Sequence, residues 1–572
     1  MTAAVRPEYP RPQFVRKEWM NLNGLWQFEI DNTLSGKEKG WADPEHELSG
    51  SILVPFCPES TLSGIGNRDF MRGVWYRRTV SLTEQQLCGR VLLHFGACDY
   101  ETEAYVNGIL VGTHRGGYVS FCFDVTKAVR KGENVITVFA RDDVRDKLIP
   151  SGKQSDRYHS YEALYTRTTG IWQTVWLEFT PEICIESFRM IPDIAMPSVT
   201  IQMQLRGKAP LSVVVQYKGK EMGTAEFPQA AGCVCFTIPL AEKHLWEIGQ
   251  GRLYDLVLRF GDDEVRSYFG LRTVRFDGMT FLLNEKPVFQ RLVLDQGFYP
   301  DGIYTAPSDE ALERDIHLAR AMGFQGARLH EKIFEERYLY HCDRLGYLAW
   351  GEYPDWGCDD SDPENIYAVL PEWMEEIRRD FNHPSIIGWC PHNETGLRNR
   401  ESLFAESIRL VYRVTKELDP TRPCIDASGF VHVQTDVFDT HDYEQDADVF
   451  ERHYRALDET GELFDNQKKY QRYGGQPIFI SEYGGIQWAA DAHGWGYGNA
   501  PKTPEEFCER FRRLTQALLR SKKIFALCYT QLTDVEQEQN GLYTYDRRPK
   551  FDPGFFAGIL SETAAIEKDG EA

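Results

Sequence analysis

Two acidic side chains follow apolar runs that have the composition of buried strands. Glu394 comes directly after Asn393 at the end of the run SIIGWCPHNE, and Glu482 lies in the run PIFISEYGG. When two carboxyl groups face one cavity, one can protonate the oxygen of an acetal while the other attacks the anomeric carbon. The pair therefore indicates cleavage of a glycosidic bond with retained configuration, with the carboxyl groups about 5 to 5.5 Å apart.

The two carboxyl groups need opposite protonation states at the start of such a reaction. Glu394 is predicted to be the acid/base, which requires that burial or a neighbouring negative charge raise its pKa. Glu482 is predicted to be the nucleophile and must be ionised. When a sugar ester forms at Glu482, one negative charge disappears, so the pKa of Glu394 falls and this group can activate water.

The region that carries both acids, residues 276–572, alternates apolar runs with helical patterns. One helix is predicted after Ser308, which can cap its N-terminus, and before Gly323, which can end it. Eight such runs predict a (β/α)8 TIM barrel, whose catalytic groups come from the carboxyl ends of strands. Glu394 then ends the fourth strand and Glu482 the seventh. The runs are 288–296, 324–330, 347–352, 385–394, 423–429, 436–443, 477–485 and 523–532.

The region before the barrel is predicted to contain two β-sandwiches. Residues 1–180 show short alternating runs broken by turn residues, and Asn107-Gly108 marks a tight hairpin. This pattern predicts a jelly-roll sandwich of the sugar-binding kind. Residues 181–275 contain further strands without a convincing helix, which fits a smaller immunoglobulin-like sandwich.

The composition is that of a large soluble protein with several domains. The chain has 572 residues, of which 42% are hydrophobic and 26% charged. A formal net charge of -22 argues against nucleic acid or an anionic membrane as a partner. The start MTAAVRPEYPRPQF lacks the apolar stretch of a secretory signal, and the 13 cysteines contain no CxxC pair. We therefore expect a cytoplasmic protein.

Several motifs, in a consistent order, resemble glycoside hydrolase family 2, which contains β-galactosidases, β-glucuronidases and β-mannosidases. The resemblance covers nearly the whole chain and implies the same three domains, a glycoside or oligosaccharide substrate and no cofactor. Enzymes of this kind often form homo-oligomers. The motifs are LNGLWQFEID (22–31), VNGILVGTHRGGYVSFCFDVT (106–126), TTGIWQTVWLE (168–178), NHPSIIGWCPHNE (382–394), ISEYGG (480–485) and GLYTYDRRPK (541–550).

The resemblance also implies roles for neighbours of the two acids. Asn393 resembles the residue that binds the hydroxyl beside the anomeric carbon, with a strand-end cap as the alternative. Tyr443 resembles the tyrosine that contacts the nucleophile, with a buried structural aromatic as the alternative.

Further side chains are predicted to surround the pair. Arg328 could orient the nucleophile or form a salt bridge at the barrel rim. Four others could line the sugar pocket or be structural: His330, Lys332, His392 and His441. Two aromatic residues could form the floor of the pocket or fill the core: Trp488 and Tyr529. Glu352 lies in the same cluster as Arg328, and Gln531 and Asp534 could reach sugar hydroxyls.

A polar and aromatic insertion, GKQSDRYHSYEALYTRT, lies between Ser151 and Thr169. In related proteins this loop reaches the barrel mouth, so Tyr165 or Arg167 is predicted to contribute to substrate selection. A contact between domains is the alternative.

Two departures from the family pattern bear on the substrate. Where β-glucuronidases have an Asn and a Lys that hold the substrate carboxylate, this chain has Glu538-Gln539-Asn540, which argues against a glucuronide. The segment EYPDWG and His392 differ from metal-dependent β-galactosidases, so no catalytic metal is expected. The predicted activity is a retaining, β-galactosidase-like exo-glycosidase. The alternatives are an α-L-arabinofuranosidase, a β-hexuronidase (glucuronidase or galacturonidase), or a non-catalytic carbohydrate-binding protein on this fold.

Overall fold

The structure, a computed structural model, describes residues 5–359, 362–395, 401–468, 470–489 and 493–568. Two antiparallel β-sandwiches precede a parallel barrel, so the predicted fold class is confirmed. Within the described ranges, no helix combines the length and the apolar character needed to cross a bilayer.

The first sandwich packs two antiparallel sheets around one apolar core. Its strands are β1 (Trp19–Asn21), β2 (Gly24–Ile30), β3 (Gly50–Val54), β4 (Gly73–Leu82), β5 (Arg90–Phe95), β6 (Cys98–Asp99), β7 (Glu101–Val106), β8 (Ile109–Arg115), β9 (Phe121–Asp124), β10 (Gly132–Arg141), β11 (Gly170–Ile171) and β12 (Val175–Thr180). The sheets have the orders β1-β12-β5-β9 and β3-β2-β4-β10-β7-β8, and β6 pairs with β11. Asn107 and Gly108 join β7 to β8 with φ values of 52° and 80°, the conformation that a tight hairpin requires.

The second sandwich is built around one long, bent strand. Its strands are β13 (Cys184–Asp193), β14 (Ser198–Tyr217), β15 (Lys220–Pro239), β16 (Leu253–Phe260) and β17 (Asp263–Gly270). The first half of β14 pairs with β13, and its second half pairs with β16. Register shifts between Leu205 and Lys208 interrupt its pairing with β15. Because bulges bend a strand, the two halves of the sheet face each other across a shared core.

The barrel follows a small three-stranded sheet. Its seven described strands are all parallel, in the order β24-β23-β22-β21-β27-β26-β25. The strands of this region are β18 (Val274–Asp277), β19 (Thr280–Leu283), β20 (Lys286–Pro287), β21 (Gln290–Asp295), β22 (Gly326–Leu329), β23 (Leu348–Glu352), β24 (Ile386–Cys390), β25 (Phe438–Asp442), β26 (Ile478–Gly484) and β27 (Ile524–Thr530). The described helices are α1 (Asp309–Ala321), α2 (Glu336–Leu345), α3 (Ile366–Asp380), α4 (Glu401–Leu418), α5 (Ala447–Thr460), α6 (Pro504–Arg520), α7 (Pro553–Leu560) and α8 (Ala565–Lys568). Ser308 caps α1 by accepting from the Ala311 N–H, as predicted.

The predicted fifth strand, 423–429, is not a regular strand. Two isolated parallel bridges join this segment to β24 and the residues after it: Cys424 pairs with Trp389, and Ser428 pairs with Asn393. The carboxylate of Asp426 accepts hydrogen bonds from the backbone N–H groups of Val433 and Gln434, at 2.6 and 2.8 Å. A side chain that binds nearby backbone groups competes with a sheet ladder, which explains why the polar segment is irregular.

Both predicted catalytic acids differ in position from the strand-tip prediction. Glu482 lies inside β26, and Glu394 lies beyond the end of β24 at Cys390. Glu394 has a φ of 47°, in the left-handed region that non-glycine residues rarely adopt. Its backbone N–H donates to the carbonyl of Ser428 at 2.8 Å, so the irregular fifth segment holds this turn.

A buried arginine near the N-terminus joins the two sandwiches. The guanidinium of Arg16 donates to Asp263 at 2.8 Å and to the carbonyl of Ile185 at 2.6 Å, both in the second sandwich. It also donates to Glu178, on β12 of the first sandwich, at 2.9 Å. All three charged side chains are buried, so the attraction between them is screened little by solvent.

We expect Arg16→Met to lower the free energy of unfolding by about 3 to 5 kcal/mol, because it leaves buried carboxylates without this partner. The midpoint of urea unfolding, followed by tryptophan fluorescence, measures the change. Arg206→Met is the matched control, since Arg206 lies 3.8 Å from Glu186 with both side chains well exposed. Equal destabilisation by the two variants would contradict the assigned role of Arg16.

Candidate active site

A buried arginine lies at the centre of the site. Arg328, on β22, is 1% exposed, and its guanidinium contacts three acceptors on three other segments of the barrel. It donates to Glu482 Oε1 and to Asn393 Oδ1, each at 2.6 Å, and forms an ion pair with Glu352 at 2.6 Å. Because the donors of a guanidinium point in fixed directions, Arg328 sets the relative positions of these three side chains.

His441, on β25, lies between the two predicted catalytic acids. Its Nδ1 is 2.7 Å from Glu394 Oε1 and 3.4 Å from Glu482 Oε2. A ring nitrogen of His441 and one carboxylate oxygen each of Glu394 and Glu482 all lie within 4.8 Å of one another. The nearest oxygens of the two carboxylates are therefore no more than 4.8 Å apart, which fits the ~5 to 5.5 Å of a retaining pair and is well below the ~6.5 to 9.5 Å of an inverting pair.

Two carboxylates and an imidazole are also a donor set that a divalent metal ion accepts. Here, however, Arg328 already lies 2.6 Å from Glu482, and His441 hydrogen-bonds Glu394. Arg328 therefore already supplies Glu482 with the positive charge that a bound cation would supply.

The pKa values of the two acids are both lowered, although burial alone would raise them. For Glu482, the effect of burial is outweighed by the charges of His441 and Arg328, so this carboxylate is ionised. For Glu394, burial is outweighed by the hydrogen bond and the charge of His441, which bring its pKa to about 2. The expected raised pKa of Glu394 is therefore not found in the ligand-free geometry.

The contacts that lower the pKa values of the two acids raise that of His441. Burial lowers the pKa of this imidazole, but the charge of Glu482 and the contact with Glu394 raise it more. The other ring nitrogen is 3.2 Å from the hydroxyl of Ser428, which donates to Asp439 at 2.6 Å. His441 is thus in direct contact with both acids, and these contacts favour its protonated form.

The two acids differ in their access to solvent. The side chain of Glu394 is 31% exposed and that of Glu482 is 6% exposed. Glu394, His441 and Tyr443 line a cleft of about 700 Å³, which Glu482 does not line. A ligand group that enters through this cleft reaches Glu394 first, as expected for the leaving-group side of a glycoside.

Tyr443 and Asn393 both contact the Arg328 and Glu482 cluster. The Tyr443 hydroxyl donates to Glu482 Oε2, and its ring stacks on Tyr497 with the ring centroids 3.5 Å apart. The Nδ2 of Asn393 is buried and has no hydrogen-bond partner among the residues that the structure describes. It is therefore a donor available to a ligand hydroxyl.

His330, Glu352 and His392 lie behind the acids and position other groups. His330 Nδ1 is 2.8 Å from Glu352 Oε1, and burial, Lys153 and Arg328 all lower the pKa of this imidazole, so it is neutral. Glu352 is fully buried against Arg328. His392 lies 3.3 Å from Asp355, which also accepts the backbone N–H of Asn393 at 2.9 Å.

The structure does not bring Lys332 or Arg167 to the two acids, which differs from the prediction. The ammonium of Lys332 donates to the carbonyls of Gly297 and Tyr304, and burial lowers its pKa to about 7. The guanidinium of Arg167 donates to backbone carbonyls of the first sandwich and lies over the ring of Phe70. Both side chains satisfy backbone acceptors away from the site.

Trp488, Tyr529 and Asp534 also have structural contacts rather than sugar-facing positions. Trp488 packs against Phe507 and Phe551, and Tyr529 is fully buried against Phe511 of α6. These two aromatic residues fill the layer between strands and helices. Asp534 pairs with Lys550 at 2.6 Å, and burial raises its pKa to about 6.

Gln531 and Tyr165 belong to a buried polar network that joins the first sandwich to the barrel. Gln296 Nε2 donates to Tyr165 at 2.9 Å and to Gln531 at 2.7 Å. Gln531 donates to Asn540 at 2.8 Å, and both Asn540 and Tyr165 donate to Glu538. The insertion therefore reaches the barrel edge, and Tyr165 makes a contact between domains.

Sequence reasoning missed several residues of the site. Tyr497, which stacks on Tyr443, comes from a loop without periodicity. Lys153 lies over the ring of Trp356, whose Nε1 donates to the Asn393 carbonyl at 2.9 Å. The insertion contains three basic residues, Lys153, Arg157 and Arg167. No sequence pattern indicates that Lys153 is the one that contacts Trp356 of the barrel.

Two family descriptions match the chain. Residues 19–181 match "Glycosyl hydrolases family 2, sugar binding domain", and residues 280–495 match "Glycosyl hydrolases family 2, TIM barrel domain". A β-glucuronidase of Paenibacillus borealis is 24% identical over 95% of this chain and 96% of its own length. The β-glucuronidase of Mus musculus is 26% identical over 71% of this chain and 68% of its own length. A β-galactosidase of Thermoanaerobacter pseudethanolicus is 26% identical over 61% and 48%.

Solved structures share the whole fold. A Ruminococcus gnavus β-glucuronidase in complex with D-glucuronic acid matches 98% of this chain and 100% of its own, with a TM-score of 0.80 and 19% identity. A β-glucuronidase from an uncultured Clostridium species matches 96% and 99%, with a TM-score of 0.80 and 21% identity. The arrangement of both sandwiches and the barrel is common to these proteins.

We expect Arg328→Lys to lower kcat for an aryl glycoside about 10²-fold or more, because one ammonium cannot hold Glu352, Glu482 and Asn393 together. The acid limb of the pH–rate profile should move to higher pH, since Arg328 helps to lower the pKa of Glu482. Arg422→Lys is the control. Arg422 is also buried and donates to four acceptors, but neither Glu394 nor Glu482 is among them. An unchanged pH profile and kcat in Arg328→Lys would leave Arg328 as a structural salt bridge.

Proposed function

Because the chain belongs to glycoside hydrolase family 2, we propose that it is a retaining exo-β-glycosidase whose preferred terminal sugar is a hexuronic acid. The observation that carries the proposal is the close placement of Glu394 and Glu482, with His441 in contact with both. Glu394 is the acid/base and Glu482 the nucleophile. Their spacing supports retention of configuration, and the more open position of Glu394 supports its place beside the leaving group.

The hexuronide preference is supported by the relatives that match over the full length. The P. borealis β-glucuronidase aligns with 95% of this chain, whereas the T. pseudethanolicus β-galactosidase aligns with 61%. The hexuronidase alternative thus has better support than the β-galactosidase-like activity predicted first. The segment Glu538-Gln539-Asn540 still lacks a cation, so a substrate carboxylate requires a positive partner elsewhere in the site.

In the first chemical step, a carboxylate oxygen of Glu482 forms a bond to the anomeric carbon while the bond to the leaving oxygen breaks. The leaving oxygen takes a proton from Glu394, which receives it from His441 along their 2.7 Å hydrogen bond. Formation of the ester removes the charge of Glu482, which is the largest influence that raises the pKa of His441. The loss of that charge therefore drives the proton towards Glu394.

In the second step, water attacks the anomeric carbon and the bond to Glu482 breaks. Glu394 and His441 take the proton from the water, which restores the starting charges. Asn393 Nδ2 is positioned to donate to the hydroxyl next to the anomeric carbon, and the Tyr443 hydroxyl stabilises the carboxylate of Glu482 when it leaves the sugar.

The function is tested with 4-nitrophenyl glycosides that differ only in the sugar. We expect a β-D-glucuronide or β-D-galacturonide to have the highest kcat/KM, and NMR of the first-formed product to show the β-anomer. Glu482→Gln should abolish turnover and serves as the control for contaminating enzymes. A dominant galactoside or α-L-arabinofuranoside activity would overturn the hexuronide assignment, and binding without turnover would indicate a carbohydrate-binding protein.

The role of Glu394 is tested by the leaving group. In Glu394→Gln, we expect glycosylation to slow about 10²- to 10⁴-fold with a phenol leaving group but far less with 2,4-dinitrophenol, which needs no proton. Pre-steady-state release of the phenol measures this step. Glu372→Gln is a control, because Glu372 is a buried carboxyl that contacts Tyr118 and Tyr353. An equal loss for both leaving groups would exclude Glu394 as the acid.

A further inference from the structure

Lys153, from the insertion of the first sandwich, is a largely buried cation with no acceptor among the residues that the structure describes. The residue is 5% exposed, and its Nζ lies 3.4 Å from the ring centroid of Trp356. Across the described part of the chain, no acceptor hydrogen-bonds this ammonium and no carboxylate pairs with it within 4.0 Å. By contrast, Lys332 and Lys550 both donate to oxygen atoms. The three donors of this largely buried side chain therefore remain available to a ligand or to water.

The position of Lys153 is held on both sides by hydrogen bonds. The N–H groups of Ser151 and Gly152 donate to the Trp356 carbonyl at 2.8 and 3.0 Å, and the carbonyl of Lys153 accepts from Tyr165 at 2.7 Å. Gly152 has a φ of 53°, and a Cβ atom there would lie 2.5 Å from the carbonyl oxygen of Glu331. The loop therefore approaches the barrel too closely for a larger residue at 152.

The charge of Lys153 acts on the interior of the site. Beside the larger effect of burial, which raises them, the charge of Lys153 lowers the pKa values of Glu394, Glu331 and Glu538. The ring on which the ammonium lies also reaches the site directly, because Trp356 Nε1 donates to the carbonyl of Asn393, next to Glu394. The ring of Trp356 stabilises a cation without neutralising it, which leaves the charge available to an anionic group.

We propose that the Lys153 ammonium, held on the Trp356 ring, binds the carboxylate of the hexuronic acid in the sugar subsite beside Glu394. This inference rests on the proposed function and assigns the specificity for the charged sugar to one residue of the first sandwich. A neutral sugar would leave the ammonium without an anionic partner, whereas a hexuronide carboxylate supplies the charge-assisted hydrogen bonds that the protein lacks there.

The test compares two substrates with the same leaving group: the 4-nitrophenyl β-hexuronide that the native chain hydrolyses best, and its neutral methyl ester. In Lys153→Met, which keeps the apolar stem on Trp356, we expect the KM for the hexuronide to rise about 30- to 100-fold. The KM for the ester should change less than about twofold, and Lys153→Arg should restore most of the affinity for the hexuronide because it restores the charge.

Lys147→Met is the matched control. Lys147 precedes the insertion in the chain, is well exposed, and pairs with Asp156 at 3.6 Å, so its removal changes the net charge but not the proposed subsite. It should leave both KM values unchanged. This control separates a specific contact from general attraction of an anionic substrate, which salt would screen.

Each outcome bears on one of the two proposals. If Lys153→Met changed KM equally for the hexuronide and the ester, Lys153 would not contact the carboxylate and would only adjust the pKa of Glu394. An equal shift of the acid limb of the pH–rate profile for both substrates would show the same. Unchanged hexuronide kinetics in Lys153→Met would contradict the carboxylate contact while leaving the proposed function intact. Failure of the native chain to hydrolyse any hexuronide would contradict the proposed function and, with it, the ligand assigned to Lys153.

Discussion

The buried guanidinium of Arg328 is the interaction on which the arrangement of the site depends. It contacts Glu482, Asn393 and Glu352 at 2.6 Å each, and these side chains come from segments far apart in the chain. Burial of so many acids is possible only because a cation of fixed geometry lies among them. The same contacts help to keep Glu482 ionised, so one residue links the packing of the barrel to the charge state of the proposed nucleophile.

The contact of His441 with two carboxylates couples the protonation of three side chains. His441 contacts Glu394 and Glu482, and its pKa depends on the charge of both. In the proposed reaction, a proton on His441 moves in response to the bond that forms at Glu482. This differs from the simplest scheme, in which the acid alone carries the proton because it is buried. The hydrogen bond of His441 reverses the effect of burial on Glu394.

The domains before the barrel contribute to the site as well as to stability. Arg16 joins the two sandwiches through Glu178 and Asp263, and the insertion of the first sandwich meets the barrel through Tyr165 and the backbone next to Lys153. The proposed contact of Lys153 with a substrate carboxylate requires a rigid connection between the domains, because the ammonium must stay in place relative to Glu394. In this proposal, substrate selection and interdomain packing share the same contacts.

The sequence alone determined the order of the domains, the cap of α1 at Ser308 and the hairpin at Asn107, and it identified the two acids that the fold brings together, because each leaves a local pattern of burial or turn residues. It did not determine that 423–429 is irregular, that Lys332 and Arg167 bind carbonyls away from the acids, or that Lys153 lies on the ring of Trp356. The pKa of Glu394 was likewise decided by a contact with His441. Periodicity indicates which side chains of a helix or strand are buried. The protonation state of a side chain and the groups that it contacts depend on distances between segments that only the tertiary structure brings together.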